Sequence, residues 1–210
     1  MKEYHKIQSV FKRDEKTNQF IIGQWSIPSL EYLCNLEWTW DEKIDGTNIR
    51  IIWDGSSRKF GGRTDNAQIP AYLYQRLETL FTNEKLKEIF GESPATLYGE
   101  GFGAKIQKGG GSYIPDGVDF ILFDALIGSF WLERQDVEDI AQKLGLRITT
   151  LVGSGPISSA IEFVKGGFKS VIGTAQAEGL ILRPKVQLFD RKGHRIITKV
   201  KTKDFKFVSA

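Results

Sequence analysis

Trp40-Asp41-Glu42-Lys43-Ile44-Asp45-Gly46-Thr47-Asn48 sets one lysine between two acidic residues, with an Asp-Gly turn signal before the β-rich run Ile49-Arg50-Ile51-Ile52-Trp53. Upstream, Leu36-Glu37-Trp38-Thr39-Trp40 reads as the first strong strand, which delivers Lys43 at its end. A protonated lysine is no nucleophile, and an ordinary pKa of about 10.4 leaves only a trace of free amine near neutral pH. Burial, a bound metal or a second cationic group changes that, and a desolvated lysine is a recognised covalent nucleophile. Taken alone, Lys43 reads by default as a surface lysine beside a turn, so its companions in the chain must decide.

The chain has 210 residues, enough to bury a substantial core, and its 40% hydrophobic and 26% charged residues are those of a folded globular protein. Twenty-nine Lys and Arg against 26 Asp and Glu give a net charge of +3, and the pI is near 8.8. That mild basic bias permits a polyanionic partner without demanding one. The opening Met1-Lys2-Glu3-Tyr4-His5-Lys6 has no apolar signal core, and no apolar run approaches the roughly twenty residues of a membrane span. A cytoplasmic protein without a membrane partner is expected. A single cysteine, Cys34, excludes an intramolecular disulfide and reads as a core residue; with only His5 and His194 beside it, zinc is disfavoured. Any metal would be a hard cation held by carboxylate and phosphate oxygens.

Residues 1 to 30 suit a hairpin or irregular cap, with the charged turn Lys12-Arg13-Asp14-Glu15-Lys16 between Ile7–Phe11 and Phe20–Ile22. Lys12 and Arg13 are candidate phosphate contacts there, against the alternative of solvated turn charges. Asp54-Gly55-Ser56-Ser57 separates Ile49–Trp53 from Lys59-Phe60-Gly61-Gly62-Arg63-Thr64 and signals a hairpin that returns Arg63 towards Lys43. From Pro70 to Phe90 the spacing of Leu73, Leu77, Leu80, Leu86 and Ile89 predicts two short amphipathic helices broken near Thr82-Asn83. Ala95 to Ala104 predicts a strand entering a glycine-rich turn. Gly99, Gly101 and Ala104 fit the dinucleotide pattern G-x-G-x-x-A, with Asp119 downstream, but Lys105 to Tyr113 cannot propagate the helix that pattern requires. Lys105 and Lys108 in that loop are candidate contacts to a nucleic-acid backbone, a flexible linker being the competing reading.

Val118 to Gly128 is the most apolar run and predicts a buried strand; a helix starting at Trp131 and stopped by Gly145, a strand from Arg147 to Val152 and a helix from Ile157 to Val164 follow. Glu178-Gly179-Leu180-Ile181-Leu182-Arg183-Pro184 carries a carboxylate on the lip of a strand. Ile196 to Lys201 alternates, so Lys199 and Lys201 leave one face together, where like charges repel unless an anion lies between them.

In order along the chain, Lys43-x-Asp45-Gly46, Arg63, Tyr98-Gly99-Glu100, Phe123-Asp124, Glu178-Gly179 and Lys199-x-Lys201 resemble the motifs of the covalent nucleotidyltransferases, the polynucleotide ligases and mRNA capping enzymes. Glu42-Lys43-Ile44-Asp45-Gly46-Thr47-Asn48 resembles the RNA ligase branch, and the phage RNA ligases of the second type within it. The resemblance runs from about Glu42 to Lys201. It implies an α+β fold of the ATP-grasp-like nucleotidyltransferase kind, with antiparallel β-sheets packed together, helices outside and the nucleotide in a groove between sheets. A single nucleotidyltransferase domain over 1–210 is expected, without the C-terminal OB or helical domain of larger relatives.

For chemistry, the resemblance implies an ATP-dependent ligase that joins 3′-hydroxyl and 5′-phosphate ends. Lys43 takes AMP from ATP as lysyl-AMP, aided by Mg²⁺ or Mn²⁺ at Glu178 and by Lys199 and Lys201 at the α-phosphate. Glu100 and Arg63 hold the ribose, Phe123 the adenine ring, Glu42 the adenine edge, and Asn48 serves the later steps. The implied partner is nucleic acid, RNA or a nicked duplex, gripped with the help of a protein partner or preceded by a separate end-healing enzyme. An ATP-dependent DNA ligase and a GTP-using capping guanylyltransferase share Lys-x-Asp-Gly. A non-catalytic RNA-binding module would use the basic segments alone, but has no reason to keep Glu178 beside them.

Overall fold

The computed structural model describes residues 2–205; residue 1 and residues 206–210 of the expected 1–210 domain lie outside the described residues. In chain order the strands begin with β1 (Gln8–Ser9), β2 (Phe11–Arg13) and β3 (Phe20–Trp25), followed by helix α1 (Pro28–Leu33). Then come β4 (Trp38–Lys43), β5 (Thr47–Trp53), β6 (Arg58–Gly61), α2 (Ala71–Leu80), α3 (Asn83–Phe90) and β7 (Ala95–Gly103). The remainder is β8 (Val118–Ile127), β9 (Phe130–Trp131), α4 (Arg134–Leu144), β10 (Arg147–Ile148), β11 (Leu151–Gly155), α5 (Ile157–Lys165), β12 (Gly179–Pro184) and β13 (Thr198–Lys201). These elements form two compact units. One comprises Asp45–Thr149 with the first residues to Tyr4; the other comprises His5–Ile44 and the chain from Thr150 onward.

The first unit is a sheet in the order β10-β8-β7-β5-β6, with β9 added to β8. Ile49, Ile51 and Trp53 alternate onto one face of β5, where they pack with Leu97, Phe120 and Leu122 against Leu73 and Leu77 of α2, Leu86 and Phe90 of α3 and Ile140 of α4. The break between α2 and α3 falls at Thr82, whose hydroxyl accepts from the Lys85 amide at 3.3 Å and so caps α3. Gly145 ends α4 with φ +67, as a helix-stopping glycine does. The turn between β5 and β6 is held by Asp54, which accepts from the Ser56 and Ser57 amides at 2.8 Å. Those amides hold its carboxyl well below the usual carboxylate range.

The second unit is a sheet in the order β1-β13-β12-β4-β11, with the β2–β3 hairpin as a separate ribbon. Trp38 and Trp40 of β4, Leu180 and Leu182 of β12 and Val200 of β13 bury one face against Ile157, Ile161 and Val164 of α5. The other face carries Asp41, Lys43, Arg183, Lys199 and Lys201.

Three local expectations change. Trp131 does not begin a helix: Gly128, at φ +59, and Ser129 make a tight turn that folds Phe130–Trp131 back onto β8, and α4 begins at Arg134. The run Arg147–Val152 is two strands, because Thr149 donates to Leu122 of the first unit while the Thr150 carbonyl accepts from Glu42 of the second. The sheets are mainly antiparallel, but each has one parallel edge pair, β10 with β8 and β1 with β13. Among the described residues no helix is long and apolar enough to cross a membrane.

Candidate active site

In the second unit Lys43, Gly179 and Lys201 form one row across β4, β12 and β13. Gly179 puts no side chain between the two lysines. A Cβ there would meet the Val200 carbonyl oxygen at 2.1 Å, and its φ of +152 suits glycine alone. The preceding residue fills the gap: Glu178 accepts from Lys43 Nζ on Oε2 and from Lys201 Nζ on Oε1, each at 2.5 Å. Its backbone carbonyl is fixed by the Thr202 amide at 2.9 Å. Burial pushes the Glu178 pKa up, yet the charge of Lys43 and the hydrogen bonds from Lys201 and Lys43 outweigh it, and the net shift is downward.

Lys199 lies one alternate position along β13, on the row of Asp41 and Ile181, so it shares the face of Lys43 and Lys201. Asp41 pairs with Arg183 at 2.5 Å. Glu42 falls on the row of Leu180 and Val200 and is buried, 1% exposed. One of its oxygens accepts from the Val171 amide at 3.1 Å; the other is buried and has no partner among the described residues. An unmatched buried carboxylate oxygen is costly, and a ligand N–H is the kind of group that would satisfy it. Of the hairpin cations, Lys12 is exposed, whereas Arg13 is tied to Asp204 at 2.9 Å and stacks over Phe20 at 4.4 Å.

In the first unit Asn48 of β5 stands opposite Glu100 of β7, on the sheet face away from the helices. The Asn48 side-chain oxygen is buried without a partner among the described residues. Gly46 lies so close to this pair that a Cβ would meet the Gly101 carbonyl oxygen at 2.3 Å and Glu100 Cγ at 2.7 Å. Phe123 is the extra residue of a β-bulge: Tyr98 pairs with Asp124 and Gly99 with Leu122, leaving Phe123 between them. Bulges re-aim a side chain, and this ring is half-buried, edge-on to Tyr4 at 5.1 Å. Tyr4 in turn donates to Asp124 at 2.7 Å. Arg63 is exposed just beyond β6. Lys105 and Lys108 are exposed as well, but their loop is tethered: Tyr72 donates to the Lys105 carbonyl at 2.9 Å and Gln107 to the Gly46 carbonyl at 3.0 Å.

The second unit therefore brings together Lys43, Glu178 and Lys201 with Lys199 on the same face, while the first holds Asn48 and Glu100 as a cross-strand pair. The sequence placed Tyr113 with Lys105 and Lys108 in a loop suited to a nucleic-acid backbone, whereas its hydroxyl accepts from the Asp45 amide at 3.2 Å; Arg50 was not among the expected site residues. Arg50 is fully buried and donates from Nε to the Gly62 carbonyl at 2.7 Å and from Nη2 to Asp65 at 2.8 Å, clamping the two ends of the segment that carries Arg63. A charged residue inside the apolar run Ile49–Trp53 was the available signal. Among the described residues no group of three or more His, Cys, Asp or Glu side chains is placed to hold a metal.

The fold is similar to solved structures of a Naegleria gruberi RNA ligase. The structure of that enzyme with PPi matches with a TM-score of 0.67 at 17% identity, over 85% of this chain and 53% of that one. A mutant with ATP and Mn gives 0.68 at 17% identity, over 96% and 59%; another, with AMP and Mn, gives 0.66 at 15%, over 97% and 58%. The chain thus spans somewhat more than half the length of these structures, and at such identity the likeness is one of fold. No curated protein matches the chain in sequence. The family described as RNA ligase matches residues 36–201, which contain β4 to β13 and every motif from Lys43 to Lys201, and the chain belongs to that family.

Proposed function

We propose that the chain is an ATP-dependent RNA ligase that seals 3′-hydroxyl to 5′-phosphate ends through a lysyl-AMP intermediate on Lys43. The observation that carries the reading is the convergence of Lys43 and Lys201 on Glu178 across the side-chain gap at Gly179. Glu178 holds the Lys43 amine through a hydrogen bond. Glu178 is the residue that would hold Mg²⁺ or Mn²⁺, an ion that would supply charge neutralisation at the phosphates. The phosphates of ATP would complete the oxygen ligands, since among the described residues no group of three or more His, Cys, Asp or Glu side chains is placed to hold a metal by itself.

In the first step the Lys43 nitrogen bonds to the α-phosphorus, the bond to pyrophosphate breaks, and the amine gives up its proton. Lys199 and Lys201 stand on the same sheet face to stabilise the charge that develops on the phosphate oxygens. The unpaired oxygen of Glu42 is suited to accept from the exocyclic amine of adenine. Glu100 and Arg63 are assigned to the ribose, Phe123 to the base and Asn48 to the later steps. AMP then passes to a 5′-phosphate, and the 3′-hydroxyl displaces it.

Incubation of the protein with Mg²⁺ and α-labelled ATP or GTP, followed by denaturing electrophoresis, tests the assignment. Acid-labile label from ATP, absent in Lys43→Ala, is expected. Label from GTP instead, or label that persists in Lys43→Ala, overturns it.

A further inference from the structure

Beside Lys199 and Lys201 the second unit opens a groove of about 610 Å³. Its charged lining is Lys6, Lys12, Arg13, Lys199, Lys201 and Lys203, with no acidic residue among the lining positions. The charges are not equivalent. Arg13 is neutralised by Asp204, and Lys201 shares Glu178 with Lys43. Lys6, Lys12 and Lys203 are exposed, and none forms an ion pair with a described residue. Three like charges gathered round one groove repel one another, a cost that a polyanion in the groove reverses.

The wall that carries Lys12 is built to keep its shape. Asp14 closes the β2–β3 hairpin by accepting from the Thr17 amide at 2.8 Å and from the Lys16 amide at 3.1 Å. Arg13 then ties the hairpin to the turn after β13 through Asp204, and Lys203 precedes Asp204 in that turn. Lys6, Lys12 and Lys203 thus stand on segments fixed to the same sheet edge as the lysines of the reaction.

We propose that this groove is the track for the sugar-phosphate backbone of the polynucleotide substrate, with Lys6, Lys12 and Lys203 as its phosphate contacts. The inference rests on the ligase reading above and adds to it the surface that holds the strand. Charge extends well past what the α-phosphate alone calls for. Gln8, Ser9, Asn18 and Ser26 supply neutral donors and acceptors of the kind that meet phosphate and sugar oxygens. The one aromatic lining residue, Phe11, is only 6% exposed, so the groove offers no platform for base stacking. Contact confined to the backbone is independent of sequence and strongly dependent on salt.

The test compares wild type with the Lys6→Ala/Lys203→Ala double variant, using a 5′-phosphorylated nicked RNA duplex as probe in a binding titration over a range of salt. Both lysines are exposed, so unchanged melting temperature is expected, and Lys6→Arg/Lys203→Arg should restore binding. The double variant should bind the duplex on the order of tenfold more weakly, with a salt slope reduced by about two, while the rate of self-adenylylation from ATP and its inhibition by pyrophosphate stay at wild-type values. Slower adenylylation or weaker pyrophosphate inhibition with unchanged duplex binding would show that the groove serves the outer phosphates of ATP. Unchanged values throughout would show solvated surface charge; either result overturns the proposal. The duplex titration needs no ATP, so it stands apart from failure of wild type to take up AMP, which would sink the ligase reading alone.

Discussion

Glu178 and Lys43 are 135 positions apart in the chain and 2.5 Å apart in the fold. The same carboxylate binds Lys201, so one negative charge holds two positive side chains at the ends of adjacent strand pairs. Its pKa lies below the ordinary 4.5 because the two lysines outweigh burial. The unfolded chain therefore takes up this proton at higher pH than the folded one. Stability from the cluster is fully present above about pH 4.5 and is lost as pH falls through the lower folded value.

Glu178→Gln should remove that pH dependence. Thermal unfolding of wild type and variant followed from pH 6 to pH 3 should show the wild-type advantage, about 3 kcal/mol at neutral pH, shrinking over the acid end of the range. Parallel curves for the two proteins would show that the carboxylate is not held by the lysines.

Gly179→Ala places a methyl group against the Val200 carbonyl at a φ of +152. Neither the backbone oxygen nor the strained dihedral can yield cheaply, so a loss of about 2 kcal/mol or more is expected in denaturant unfolding. Because β12 is the middle strand of the lysine row, transfer of AMP to Lys43 should fall more steeply than stability does. A variant with wild-type adenylylation would show that the row tolerates displacement.

Arg50→Lys keeps the charge but loses the fork that reaches both Gly62 and Asp65. With a buried cation left short of partners, about 3 kcal/mol of stability should go. Asp65→Asn weakens the same clamp from its exposed end, so its melting temperature should change little while KM for ATP in self-adenylylation rises through a loosened Arg63 segment. A KM at the wild-type value would confine the clamp to folding.

Strand alternation and turn chemistry made most elements readable: the hairpin at Asp54-Gly55, the break at Thr82 and the stop at Gly145 follow from local residues alone. Long-range relationships were not readable in this way. Nothing near Phe123 announces a bulge, which arises because β7 and β8 pair with an offset between Tyr98 and Gly99. The tight approach that makes Gly99 necessary, with a Cβ placed 2.1 Å from Phe120 Cζ, exists only once that offset is made. The division of Arg147–Val152 between two sheets escaped for the same reason, since hydrogen-bond partners at Leu122 and Glu42 decide it. Arg50 read as a strand residue because its partners lie beyond the following hairpin turn.

The order in which β4 meets its neighbours bears on the birth of the protein. Apart from its first residues, the unit spanning Asp45–Thr149 is one continuous stretch and can form as soon as that stretch has been synthesised. β4 must wait, because both strands that flank it, β11 and β12, are made more than a hundred residues later. On the ribosome, Lys43 accordingly passes through a long interval with no sheet around it and no Glu178 to meet, and only a chain synthesised past β12 and β13 has the strands that assemble the cluster of Lys43, Glu178 and Lys201. Slow, non-local closure of this sheet is the expected limiting phase of refolding, and recovery of AMP uptake should track that phase rather than the earlier burial of the helices.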